Sequence, residues 1–201
     1  MKILGITGGV GAGKSTVLSY MEQKYGARVI QADLVAFGLQ QPGTDCFEKI
    51  IRLFGSEIQS EDGSIDRKKL AAVVFADKEL LSRLNQIVHP AVKEKIWEEI
   101  RKEREQNAVP FVVVEAALLL EDHYDEICDE IWYIYTEPSV RAARLAASRG
   151  YSEEKIRQIM KNQLCDEEYR RKCKFVIDNS SDFVENTYDK INRGLIEHGF
   201  L

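Results

Sequence analysis

The chain has 201 residues, 44% hydrophobic and 30% charged, a balance that supports one globular domain with room for a small helical insertion and excludes a disordered polymer. Its formal net charge of −5 runs against a nucleic-acid partner, since proteins that grip a phosphate backbone carry a basic face. The opening KILGITGG has no secretory apolar core and no run of about 18 apolar residues follows, so a cytoplasmic protein without a membrane partner is expected.

Lys2–Thr7 reads as a short buried strand, and a helix is predicted from Lys14 to about Tyr25. Arg28–Gln31 reads as a second strand, ending at Asp33. From Leu34 to about Gln106 the pattern is mainly helical, interrupted at Pro42-Gly43, Gly55, Asp62-Gly63 and His89-Pro90. Lys93–Glu105 mixes both signs at helical spacing, the pattern of a solvated helix face. Pro110–Glu115, with three consecutive valines, suits a central strand buried on both faces. Glu130–Tyr135 is the next strand, followed by helices at Ser139 to about Arg149 and Ser152–Gln163. A last strand at Phe175–Asp178 leads to a helix from about Phe183 to His198. Strands alternating with helices predict an α/β fold with a parallel sheet. Cys46, Cys128, Cys165 and Cys173 include no CxxC pair, and the three histidines are too scattered for an evident zinc site, so free thiols are expected.

Residues 8–15 read Gly8-Gly9-Val10-Gly11-Ala12-Gly13-Lys14-Ser15, a full match to GxxxxGK[ST] between a predicted strand and a predicted helix. Glycines let successive backbone N–H groups turn inward as a nest for phosphate oxygens, and the following helix adds its positive end. In such a loop Lys14 serves the β- and γ-phosphates of ATP, Ser15 ligates Mg²⁺, and Thr16 is placed for the α-phosphate. Gly11, Ala12 and Gly13 complete the nucleotide-binding set. Nucleotide binding follows; the loop alone does not separate a kinase from a GTPase or an assembly ATPase.

Asp33 lies 19 residues after Lys14, just past the second strand, where ligands gather in open α/β sheets. A carboxylate there can accept the proton of an attacking hydroxyl, or it can simply cap the helix beginning near Leu34. Glu115 ends the valine strand, as an acid near a Mg²⁺ shell or as a surface acid. Arg141, Arg144, Arg149 and Arg157 could each serve a closing lid, because a guanidinium fork binds phosphate oxygens at two points. Ordinary surface positions are the alternative for each.

In this order the segments resemble the dephospho-CoA kinase family over essentially the whole chain. ITGGVGAGKST resembles its P-loop, and Ala32-Asp33 the end of its Asp-Ala-Asp segment. Ile65-Asp66-Arg67-Lys68-Lys69-Leu70, Leu84-Asn85 and His89-Pro90 resemble its helical substrate domain. Leu118-Leu119 with Glu121 is similar to its Leu-Leu-x-Glu segment, and Val176-Ile177-Asp178-Asn179 to the approach to its last helix. The resemblance implies a three-layer P-loop nucleotide-kinase fold with a helical substrate domain and a lid. The core would span about 1–33, 108–140 and 172–201, the helical insertion about 34–107 and the lid about 141–171. It implies transfer of the ATP γ-phosphoryl group to the ribose 3′-hydroxyl of dephospho-CoA, the last step of coenzyme A synthesis. By the same resemblance Asp33 is the general base, Lys14 the phosphate clamp and Arg144 the lid arginine. Arg67 and His89 fall on the acceptor side, and Asn179 near the nucleotide base. Without the family, Arg67 is a first-turn helix residue, His89 a turn residue before Pro90, and Asn179 a turn or cap.

The chain departs from the family pattern in three places. Gln31 stands for the first acid of Asp-Ala-Asp, leaving Asp33 as the base candidate. Glu115 and Ala117 stand where an Asp and a proline are usual. In the lid, Ser148 and Ile159 occupy positions often held by arginine, with Arg149 displaced by one residue, about 100° of helix rotation. A kinase for a nucleotide or nucleoside would share Lys14 and Ser15 but need its own acceptor site. A GTP-driven switch would carry an NKxD segment, which this sequence lacks.

Overall fold

The computed structural model describes residues 1–116 and 118–201; Ala117, noted for its departure from the family pattern, lies outside the described residues. Five strands, β1 (Lys2–Thr7), β2 (Arg28–Gln31), β3 (Phe111–Glu115), β4 (Glu130–Tyr135) and β5 (Phe175–Asp178), form one parallel sheet in the order β2-β3-β1-β4-β5. β1 runs between β3, with Leu4 opposite Val113, and β4, with Ile6 opposite Trp132; β4 then pairs with β5, Ile134 opposite Ile177. All five residues of β3 are buried, which is why its valines do not alternate with polar residues. The helices are α1 (Lys14–Tyr25), α2 (Ala32–Leu39), α3 (Asp45–Phe54), α4 (Arg67–Ala76), α5 (Lys78–Gln106), α6 (Pro138–Arg149), α7 (Glu153–Lys161), α8 (Asp166–Lys172) and α9 (Val184–Glu197).

The chain divides into two compact units. One holds Met1–Ile30 and Glu103–Leu201, the other Gln31–Lys102. In the first, Leu4, Ile6, Phe111, Val113, Trp132, Ile134 and Ile177 line one face of the sheet, and Val17, Met21, Ile191 and Leu195 of α1 and α9 close over it. On the opposite face Tyr133 stacks on Tyr169 of α8 with ring centroids 4.5 Å apart. Burial of these phenols holds both in the neutral form, Tyr169 with its pKa pushed up to about 12.

Three expectations need correction. β2 stops at Gln31 and α2 begins at Ala32, so Asp33 sits inside the first helical turn; the N-cap position belongs to Gln31, whose side chain makes no capping bond. His89-Pro90 does not interrupt the second unit, because α5 runs through Pro90 without a break. Val88, Val92, Ile96 and Ile100 recur every four residues on both sides of the proline, and all are buried. That continuous stripe outweighs the one backbone bond a helix-interior proline forfeits. Finally α8, which the apolar periodicity did not signal, stands between α7 and β5. It is a short helix held by charge: Asp166, Glu167 and Glu168 begin it, Arg170, Arg171 and Lys172 end it. Arg170 Nε donates to Asp166 across one turn at 2.7 Å, and the Glu168 carboxylate accepts from the Cys165 N–H at 3.1 Å.

Candidate active site

The loop between β1 and α1 carries the densest chemistry of the first unit. Gly13 is the N-cap of α1 with φ 84 and ψ 26, a left-handed conformation that costs an L-residue about 1–2 kcal/mol. Its carbonyl accepts from Thr16 N at 3.1 Å, which starts the helix and turns the first free N–H groups of α1 toward the loop. Ser15 and Thr16, in the first turn, are exposed. Lys14 reaches back over the loop: its Nζ donates to Gly8 O at 2.8 Å and stands 3.5 Å from Glu115 Oε1. Glu115 is 7% exposed, so it is a buried counter-ion of Lys14 and not a surface acid.

α6 lies against the same loop. Arg141 donates from Nε to Val10 O at 3.1 Å and from Nη2 to Gln163 Oε1. Arg141, Arg144 and Leu145 share one helical face. A Cβ at Gly9 would fall 2.2 Å from Arg141 Nη2, and one at Gly11 2.9 Å from Leu145 Cγ, so the missing side chains are what let α6 settle on the loop. Burial lowers the Arg141 pKa from its ordinary value, a direction that still leaves a guanidinium charged near neutrality. Arg144 borders the loop as well, its Nη1 3.5 Å from the position of a Gly13 Cβ. Arg149 and Arg157 are exposed, Arg149 lying over the Tyr151 ring at 5.9 Å. Ser148 spends its hydroxyl on the Arg144 carbonyl of its own helix, at 2.6 Å. Of the four lid candidates the sequence offered, with Arg144 ranked first, the structure sets Arg141 as well as Arg144 against the loop.

Asn179 is neither a surface turn residue nor a helix cap. It is 5% exposed, its backbone N–H donates to Tyr135 O at 2.8 Å, and its side-chain amide donates to Ala12 O at 2.8 Å. Thr136 and Thr187, which the sequence did not single out, complete this corner. Thr136 Oγ1 stands 2.9 Å from Ala12 O and 2.8 Å from Tyr135 O, and Thr187 Oγ1 donates to Asn179 Oδ1 at 2.7 Å.

The second unit holds the remaining candidates. Asp33 is exposed in the first turn of α2, one turn before Phe37. Arg67 opens α4, capped by the Asp66 carboxylate, which accepts from Lys68 N at 2.9 Å and Lys69 N at 3.1 Å. Its guanidinium lies over the Phe37 ring at 4.6 Å, a cation–π contact joining α4 to α2. His89 lines an open depression of about 660 Å³ with Lys78, Leu81, Ser82, Asn85, Gln86 and Pro90.

A phosphate chain fits the loop: the cradle is backbone alone, four of its positions, Gly8, Gly9, Gly11 and Gly13, have no room or no conformation for a Cβ, and a lysine and two arginines surround it. Among the described residues no group of three His, Cys, Asp or Glu could hold a metal ion by itself. Also among the described residues, no helix is long and apolar enough to cross a membrane.

A parallel five-stranded sheet carrying this loop at the end of its middle strand, with a lysine folded over it, defines a P-loop nucleotide-binding protein. Residues 2–185 match the family described as CoaE: Dephospho-CoA kinase. A dephospho-CoA kinase of Symbiobacterium thermophilum is 40% identical over 179 residues, covering 89% of this chain and 74% of that one. Among solved structures, TT1252 from Thermus thermophilus superposes with a TM-score of 0.83 at 30% identity, covering 98% of this chain and 97% of that chain. A dephospho-CoA kinase from Campylobacter jejuni gives 0.72 at 25% identity, covering 99% and 98%. The chain belongs to the dephospho-CoA kinase family and is an ATP-dependent kinase.

Proposed function

We propose that this chain performs its family's reaction, the last step of coenzyme A synthesis, through the following residues: it moves the γ-phosphoryl group of ATP to the ribose 3′-hydroxyl of dephospho-CoA. One observation carries the choice of acceptor. The family match runs through the whole of the second unit, Gln31–Lys102, as well as the loop-bearing unit, so the likeness extends well past the nucleotide cradle.

Phosphoryl transfer needs charge neutralisation and alignment more than covalent help. The loop N–H groups and the N-terminus of α1 hold phosphate oxygens, with Gly11, Ala12 and Gly13 as the cradle. Lys14 exchanges its contact with Gly8 O for the β- and γ-oxygens, while Glu115, 3.5 Å away, keeps its ammonium over the loop. Ser15 would hold Mg²⁺ through its hydroxyl, and the ion would supply charge neutralisation for the phosphates. Thr16 serves the α-phosphate. Arg144, with Arg141 beside it, neutralises charge from the lid, residues 141–171. Asp33 accepts the proton of the 3′-hydroxyl and aligns its oxygen; an exposed carboxylate in a helix's first turn is free to do so. Arg67, steadied on Phe37, and His89 hold the acceptor. The same reading sets the enzyme in the cytoplasm.

The test is transfer from γ-labelled ATP with Mg²⁺ to dephospho-CoA, adenosine, AMP or no acceptor. Label appearing in coenzyme A alone is the expected result. Label in adenosine or AMP would replace the acceptor, and phosphate release indifferent to every acceptor would replace the reaction.

A further inference from the structure

We propose that Asn179 and Thr187 are positioning residues for ATP: they set the orientation of the Ala12–Gly13 peptide, and through it the Gly13 N–H that faces the phosphates. This inference rests on ATP occupying the loop as described above, and it assigns Asn179 a role different from contact with the nucleotide base.

The hydrogen-bond directions are forced. Ala12 O can only accept, so the side-chain group of Asn179 at 2.8 Å from it must be the amide nitrogen. That turns Asn179 Oδ1 toward Thr187, whose Oγ1 at 2.7 Å must therefore donate. A line of donors thus runs from Thr187 in α9, 0% exposed, through Asn179, to the carbonyl of Ala12. The Asn179 backbone is fixed independently by its N–H to Tyr135 O, so the amide is held at both ends. Thr136 adds a hydroxyl 2.9 Å from Ala12 O, but its single proton is shared with Tyr135 O at 2.8 Å, which leaves Asn179 as the firm donor.

A trans peptide is planar, with its carbonyl and N–H pointing to opposite sides. Drawing Ala12 O into the buried corner beneath the loop sends the Gly13 N–H the other way, into the cradle. Gly13 carries a second mark of the same arrangement. A Cβ there would lie 2.3 Å from Asn179 Nδ2, so the amide occupies the space a side chain would need. A bare loop peptide can rotate to several orientations, and binding would have to select one of them. Here the selection is made in the folded protein before the ligand arrives, which is how preorganised donors gain strength. Thr187 is wholly buried and Ala12 is 1% exposed, so Thr187 influences the nucleotide only through Asn179.

The test compares wild type, Thr187→Val, Thr187→Ser and Asn179→Ala by calorimetric titration, well below each variant's Tm, with MgATP and with Mg-tripolyphosphate, which has no base. Thr187→Val should weaken both ligands by the same factor, on the order of tenfold, the worth of one hydrogen bond. Thr187→Ser should restore wild-type affinity, and KM for ATP should rise in Thr187→Val while KM for dephospho-CoA holds. Should Thr187→Val fail to fold, Asn179→Ala carries the comparison, with equal losses for the two ligands expected. A lowered Tm with unchanged affinities would overturn the proposal, leaving plain packing. Loss of ATP affinity in Asn179→Ala with tripolyphosphate binding intact would also overturn it, in favour of base contact. Wild-type protein that binds neither ligand would remove the ATP site itself and this inference with it.

Discussion

Gly13→Ala is the substitution whose cost can be worked most fully from the structure. At φ 84 an alanine costs about 1–2 kcal/mol for the left-handed backbone alone. Its Cβ then meets Asn179 Nδ2 at 2.3 Å, and the amide can give way only by releasing Ala12 O and Thr187 Oγ1. Two buried hydrogen bonds left unmade cost about 1–3 kcal/mol each, which brings the whole to about 3–8 kcal/mol. Gly26 supplies the control. Its φ is 68, so alanine there carries the same backbone cost, yet a Cβ would find nothing within 4 Å. Urea unfolding of both variants, read against the wild type, should place Gly13→Ala about 2–6 kcal/mol below Gly26→Ala. Against a usual stability of about 5–15 kcal/mol, Gly13→Ala could unfold entirely while Gly26→Ala folds, which has the same sign. Equal midpoints for the two variants would refute the contact between Gly13 and the Asn179 amide.

Asp33→Asn should cut kcat by about 10²–10⁴-fold with little change in ATP affinity measured by titration; an unchanged kcat would deny it the role of base. Pro90→Ala restores a backbone donor inside α5 at the expense of a more flexible unfolded chain, and a net gain of about 1–2 kcal/mol in urea unfolding is expected. A loss would mean that packing of the pyrrolidine ring, not helix continuity, governs the site. At pH 8 Ellman's reagent should find Cys165 fast and the other three thiols only after denaturant. Exposure sets Cys165 apart, since Cys46 and Cys173 are buried and Cys128 is partly buried; burial also raises the pKa of those three, to about 12 for Cys128 and Cys173. A second fast thiol in the folded protein would contradict that burial.

Strands and the long amphipathic helices were legible because burial imposes a period on the sequence. The apolar residues of α9 announce their helix this way, while β3 is announced by an unbroken run of valines buried on both faces. α8 was missed for the complementary reason: with Tyr169 its one buried residue, its signal was the acid-to-base gradient from Asp166 to Lys172, which an apolar period does not register. His89-Pro90 misled because proline is a local signal, while the stripe from Val88 to Ile100 is a longer-range one and prevailed. At the site, the loop itself was plain in eight consecutive residues. The burial of Glu115 against Lys14 follows from the interior position of β3, between β2 and the loop-bearing β1, a property of strand order that no single segment contains. Thr136 and Thr187 gave no sign at all: Thr136 meets Ala12 across 124 residues of chain, and Thr187 meets nearby Asn179, whose own partner Ala12 is 167 residues away.

The carbonyl of Ala12 is gripped from the far end of β4 and from the junction of β5 with α9, so the shape of the loop is written in three separated stretches of sequence. An engineer who transplanted Gly8–Ser15 onto another strand and helix would carry over the letters of the cradle without its foundations. The graft would need Thr136, Asn179 and Thr187, and the sheet that aligns them, before it could hold the same form.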